Sequence, residues 1–254
     1  MNRHPFGYLD VLSFLFFISL GFWIGKSMAA HPPVPIERES IVPTPSPLPS
    51  LPDGERILLL VGVDQINSQQ PKLVSVWLLT YYLDNQPIQL LPIYPGESDP
   101  TSQMESELVD TFSIQYKKGS AQLDPAFLTT LFANNYWISG YLVLDNIATG
   151  QIIDLIGGLP NGQNQLDGAG IIQDLPDSGE QPLNALHQQT YLFGQACQTL
   201  AQLTQQPDLS QIVTLIPDHI FTDPQPHRLL SEINLLFSTP SLVRCEFPVH
   251  PSAP

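Results

Sequence analysis

Asp64 follows the apolar run Ile57-Leu58-Leu59-Leu60-Val61-Gly62-Val63 and is the residue of this chain best placed to do chemistry. A carboxylate delivered at the carboxyl end of a buried strand lies where α/β sheets hold ligands. The same aspartate could instead cap its own turn by accepting the backbone amides of Gln65-Ile66-Asn67, and the frequency of such turns favours that role. A ligand role requires a cleft with Lys72 or His187 within reach. Capping requires bonds to the following amides with no cation near. Between Arg56 and Arg228 the sequence holds three cations, Lys72, Lys117 and Lys118. Chemistry on phosphate esters needs several, because charge on the phosphoryl oxygens must be neutralised as the linkage breaks.

Other chemistries find no footing. The sequence has no P-loop, GxGxxG, HExxH or GxSxG pattern. His4, His31 and His250 lie in the tails, while His187, His219 and His227 lack ligand spacing and read as surface or hydrogen-bonded core residues. The pairs Glu105/Glu107 and Asp174/Asp177 sit in polar stretches and read as solvated loop acids. Two cysteines, Cys197 and Cys245, are present without a CxxC or metal spacing. They are expected as free thiols, with one disulfide as the alternative if the domain is exported. The formal net charge is −15, from 24 acids against 9 bases. Such a surface repels phosphate backbones and anionic headgroups, so nucleic acid is not an expected partner.

The elements that must position these residues follow from the pattern. Residues 1–5 form a short tail, and Phe6 to Gly25 is an apolar stretch of membrane-spanning length. It is expected to be an uncleaved signal anchor with the amino terminus cytoplasmic; the alternative is a signal peptide cut near Ser27-Met28-Ala29. Residues 26–53 form a linker in which His31–Asp53 carries eight prolines in 23 residues, a composition that favours extended polyproline II. A single domain is expected over 54–249, outside the cell membrane, followed by a tail at 250–254. Within it, strands are predicted at 56–63, 74–82, 88–94, 140–144 and 242–247. Helices are predicted at 125–132, 147–156, 183–205 and 229–237, with 212–216 either strand or short helix. Strands alternating with helices imply an α/β fold, a three-layer α/β/α sandwich around a mixed central sheet.

The order of segments carries one more inference. Ile57 to Asp64, Leu90-Leu91-Pro92-Ile93-Tyr94, Tyr141-Leu142-Val143-Leu144-Asp145, Ile153-Asp154-Leu155-Ile156-Gly157-Gly158, Gln165-Leu166-Asp167-Gly168-Ala169 and Leu186-His187-Gln188-Gln189 stand in one sequence. In that order they resemble the LytR–CpsA–Psr family of membrane-anchored cell-envelope proteins, across residues 56–205. The resemblance implies transfer of a polyprenyl-pyrophosphate-linked glycopolymer to the cell wall, with the lipid in an apolar tunnel and arginines with Mg²⁺ holding the pyrophosphate. Carried over residue by residue, Asp64 matches the aspartate after the first strand and would ligate the metal. Asp145 and Asp154 match structural acids, and Lys72 falls near an expected arginine, with Leu73-Val74 replacing Ser-Asp. Tyr94-Pro95-Gly96 replaces Pro-Arg-Asp. His187 stands in place of an arginine, and Gln188 matches the glutamine after it. The resemblance therefore implies a catalytically degenerate domain that binds a glycopolymer or an envelope protein, with no cofactor expected. The alternatives are an active, Mg²⁺-dependent phosphotransferase centred on Asp64, Lys72 and His187, and an exported structural domain without a ligand.

Overall fold

Strand β1 (Glu55–Val63) forms because an unbroken apolar run is stable only when both faces are covered. Leu59, Val61 and Val63 pack on one face, while Leu58 and Leu60 point to the other. Beside it runs β2 (Leu73–Tyr82), antiparallel to β1, and beyond that β3 (Ile88–Tyr94), antiparallel to β2. Strand β6 (Gly140–Asp145) joins the other side of β1 in parallel. Short strands β9 (Ile220–Thr222) and β10 (Cys245–Glu246) complete a six-stranded sheet in the order β10-β3-β2-β1-β6-β9. The fold is thus α/β with a central mixed sheet. The computed structural model describes residues 55–82, 87–96, 103–117, 120–161, 164–203, 207–223, 228–229, 231–233 and 243–248. All lie within one unit, Ser50–Pro254. The expected membrane stretch 6–25, linker 26–53 and both tails lie outside the described residues, among which no helix is long and apolar enough to cross a membrane.

Helices cover both faces. On the first lie α1 (Gln103–Thr111) and α2 (Pro125–Ala133), whose Leu108, Phe127 and Leu131 pack with Leu59, Val61 and Val143. On the second lie α3 (Asn146–Leu155), the 21-residue α5 (Pro182–Gln202) and the short α6 (Ser210–Val213). Between α3 and α5 in sequence is α4 (Gly168–Asp174). Two hairpins, β4 (Ile114–Lys117) with β5 (Ser120–Leu123) and β7 (Leu159–Asn161) with β8 (Asn164–Leu166), are additions to the predicted set.

Aspartates start three of the helices by accepting a backbone amide that the helix leaves unpaired: Asp124 from Ala126, Asp145 from Ala148 and Asp167 from Gly170. Gly157 and Gly158 end α3 at φ +93° and +81°, a left-handed conformation that only glycine enters without strain. Gly168 lies directly against the Gly150 backbone, so that any side chain there would collide with it.

Several expectations need correction. Glu105 and Glu107 belong to helix α1 rather than to a loop, and Glu105 is buried. The apolar face of α1 rests on Met104 and Leu108, four residues apart, too sparse to outweigh its polar neighbours in the pattern. Of the two alternatives for 212–216, the short helix is the one found, at Ser210–Val213. The last strand is described only at Cys245–Glu246. Helix at 229–237 is seen at 228–229 and 231–233, and 234–237 lie outside the described residues. Cys197 and Cys245 are not free thiols: they are bridged, with their Cα atoms 6.1 Å apart, inside the range a disulfide requires. The bridge ties α5 to edge strand β10 beside Trp77, Phe193 and Phe247.

Candidate functional site

Strands β1, β3 and β6 run in one direction, and β2 and β9 run in the other. One edge of the sheet therefore gathers Asp64, Tyr94 and Asp145 from strand ends with Lys72 and His219 from strand starts. At its centre, Asp64 Oδ1 accepts the backbone N–H groups of Gln65 and Lys72, both at 2.7 Å. The Asp64 amide in turn donates to the Lys72 carbonyl at 3.1 Å. These bonds close the 65–71 loop, and Gln65 is the first of the amides that capping calls for. Lys72 meets Asp64 through its backbone only; its ammonium is ion-paired with Asp177 Oδ2.

Asp177, expected as a solvated loop acid, does lie in a loop open to solvent, and it is the partner of Lys72. Its place is fixed from below. Ser178, buried, donates to the Val74 carbonyl at 2.7 Å. Gln189, also buried, accepts the Trp77 indole N–H at 3.0 Å, and its amide lies 3.4 Å from Val74 O and from Ser178 Oγ. This network fastens the segment before α5 to β2, as expected of buried polar groups that find partners. The hydrogen bond from Lys72, and then that from the Gly179 amide, hold the Asp177 carboxyl below the ordinary carboxylate range. Tyr94 ends β3 with its phenol pushed above its ordinary value, first by burial and then by the charges of Asp177 and Glu105. Gly96 leaves the space that Glu105 occupies, since a Cβ there would lie 2.7 Å from Glu105 Oε1.

The side chains of His187 and Gln188 are exposed on α5 and make no hydrogen bond or ion pair with a described residue. No described contact joins His187 to Asp64 or Lys72. The inward residue is Gln189, which sequence reasoning missed. The spacing of Ala185, Leu186 and Gln189 could have found it, since residues three and four apart share a helix face.

Toward β9, Asp145 is 1% exposed and uses one oxygen for the Ala148 amide and the other for His219 Nδ1 at 2.8 Å. A carboxylate can only accept, so Nδ1 carries the proton in this contact. Asp154 accepts the Gly168 amide at 2.6 Å and helps line an open cleft of ≈ 390 Å³ with Gly157, Gly158, Gln165, Leu166 and Asp167. Both acids of that cleft hold backbone in place, which is a structural task.

Asp64 Oδ1 is engaged by two backbone amides. Among the described residues no three acidic, histidine or cysteine side chains converge as ligands. What this edge offers is hydrogen bonding under a negative field from Asp64, Glu105 and Asp177 against Lys72.

No protein family matches the chain by sequence, and no curated protein does. Solved structures do match. Bacillus subtilis TagV superposes with a TM-score of 0.50 at 12% identity, covering 78% of this chain and 86% of TagV. TagT, solved bound to LIIa-WTA, gives a TM-score of 0.51 at 10% identity and covers 78% of each chain. Protein gbs0355 from Streptococcus agalactiae gives 0.51 at 9% identity over 77% of each. TagV and TagT are LytR–CpsA–Psr proteins, and the domain described here has an LytR–CpsA–Psr-like fold.

Proposed function

We propose that this chain is a cell-envelope protein, anchored in the membrane through residues 6–25, whose domain binds a glycopolymer without transferring phosphoryl groups. The fold shared with TagT, a protein solved with LI-WTA and with LIIa-WTA, supports a glycopolymer as the ligand class. The observation that carries the non-catalytic half is the Lys72–Asp177 pair. The described lysine at the strand-carboxyl edge is neutralised by the protein itself, and Asp64 is engaged by backbone amides. Breaking a phosphate ester there would lack the cationic stabilisation whose removal, one group at a time, costs about a hundredfold or more in rate. The Cys197–Cys245 bridge supports a location outside the cytoplasm, where disulfides persist.

The test is equilibrium binding of a labelled lipid-linked glycopolymer to the full-length protein in detergent micelles, with and without EDTA. Saturable binding that survives chelation is expected. Absence of saturable binding would leave the exported structural domain as the reading, and binding that requires Mg²⁺ would favour the active enzyme.

A further inference from the structure

At the strand-carboxyl edge the carboxylate of Asp177 occupies the ammonium of Lys72. Both side chains are solvent-accessible, 55% for Lys72 and 36% for Asp177, so an incoming ligand could reach the pair. Asp177 is not a wandering side chain. Its Oδ1 accepts the Gly179 amide at 2.8 Å, its carbonyl accepts the Gln181 amide at 2.9 Å, and its neighbour Ser178 is buried and bonded to β2. The backbone thus delivers a carboxylate to the place where a bound oxyanion would meet the lysine. Tyr94 and Asp64 end neighbouring stretches of the same edge, and Tyr94 lies in the field of both Asp177 and Glu105.

We propose that Asp177 is the specificity-determining residue of this edge: it closes Lys72 to phosphate-bearing ligands and so restricts the site to the uncharged, hydroxyl-rich part of a glycan. This rests on the glycopolymer reading above and names the portion of the ligand recognised. A fixed carboxylate excludes an oxyanion twice, by competing for the ammonium and by repelling the ligand's own charge. Replacing it with asparagine keeps an oxygen for the Gly179 amide and removes only the charge.

A unit charge a few ångströms from a bound ion, screened by a nearly water-like dielectric as at this solvent-exposed pair, changes its affinity by about tenfold. Inorganic pyrophosphate is the probe, titrated calorimetrically at low salt into full-length protein in micelles. Asp177→Asn is expected to bind it about tenfold more tightly than the natural chain. The gain should vanish in the double variant with Lys72→Met and shrink as salt is raised. Asp174→Asn, the same change of net charge at the end of α4, is expected to shift affinity less than twofold. Equal affinity of the natural chain and Asp177→Asn, including no measurable binding by either, would overturn the proposal. So would a gain that persists without Lys72 or is matched by Asp174→Asn. A gain confined to Asp177→Asn in a protein that binds no glycopolymer would leave the exclusion of oxyanions by Asp177 standing and remove the functional reading together with the glycan half of this proposal.

Discussion

The two ends of strands β1 and β2 use charge in opposite ways. At the amino end of β1, Arg56 lies opposite Tyr81, and both reach Glu232: Arg56 Nε at 3.4 Å and the Tyr81 hydroxyl at 2.7 Å. Arg228 adds a third bond to the same carboxylate at 3.2 Å. Glu232 is 16% exposed, and burial, which would raise its pKa, is outweighed by the bonds from Tyr81 and the two arginines. At the other end of the same strands, one exposed lysine meets one exposed aspartate. The two described arginines of this pair of ends therefore fasten the fold, away from the edge where a phosphate-handling protein needs them. Arg56 and Arg228 thus serve the fold at one end of these strands, while at the other end Lys72 is paired with Asp177 beside Asp64.

A scale for that contrast comes from the Cys197–Cys245 bridge, which belongs to neither end. Its loop of 48 residues predicts that Cys197→Ser with Cys245→Ser loses about 4 kcal/mol in the chain-entropy account. Urea unfolding with and without reductant measures it, and a loss under about 1 kcal/mol would show that α5 and β10 are held by Trp77, Phe193 and Phe247 alone.

Next in size is the arginine end. Glu232→Ala removes a mostly buried acceptor of three bonds and is expected to cost about 2 kcal/mol. Lys72→Met breaks an exposed pair and is expected to cost less than about 1 kcal/mol. Equal costs in the same unfolding experiment would erase the comparison.

Alkaline pH separates the ends in another way. Burial first, then the bond to Glu232, raises the Tyr81 pKa above its ordinary 10.0. A raised pKa means that stability is fully present below pH 10 and falls as pH rises above it, because the unfolded chain releases the proton first. Tyr94, Tyr136 and Tyr141, raised chiefly by burial, add to the same slope. Thermal melts from pH 8 to 12 should show Tyr81→Phe with a shallower alkaline loss than the natural chain, and identical slopes would contradict burial of that hydroxyl. In acid the sign reverses for Asp177, whose lowered pKa gives stability that is lost as pH falls through its depressed value. Since that pair is exposed, the effect of Asp177→Asn on acid melts is expected to be the smallest of the set.

How legible these ends are in the sequence follows from the reach of each signal. Strands β1, β2, β3 and β6 and helices α2 and α3 come from local patterns, an apolar run or a capping aspartate, and they appear within a residue or two of their expected bounds, while α5 ends three residues before its expected end. Asp145 and Asp154 are structural acids, as the resemblance implied. The hairpin β4–β5 is short and mostly polar, and strand β9 is three residues paired with β6, distant in sequence; neither is long enough to show a periodicity of its own. At the site, Asp64 and Lys72 meet because a hairpin loop closes between them, but Asp177 reaches Lys72 across 105 positions of chain. Only the packing of Ser178 and Gln189 on β2 creates that pairing, and nothing near Lys72 announces it. Gln188 and Gln189 differ for a simpler reason: a one-residue shift on a helix turns a side chain by about 100°, enough to place Gln189 inside and Gln188 outside.

The central claim is that the acidic edge does not perform phosphoryl transfer. It is tested most directly by incubating the full-length protein in micelles with Mg²⁺ and a polyprenyl-pyrophosphate-linked substrate, and measuring release of polyprenyl phosphate. The account predicts no Mg²⁺-dependent release above a protein-free control, with the natural chain and Asp64→Asn indistinguishable. Mg²⁺-dependent release that Asp64→Asn abolishes would contradict it.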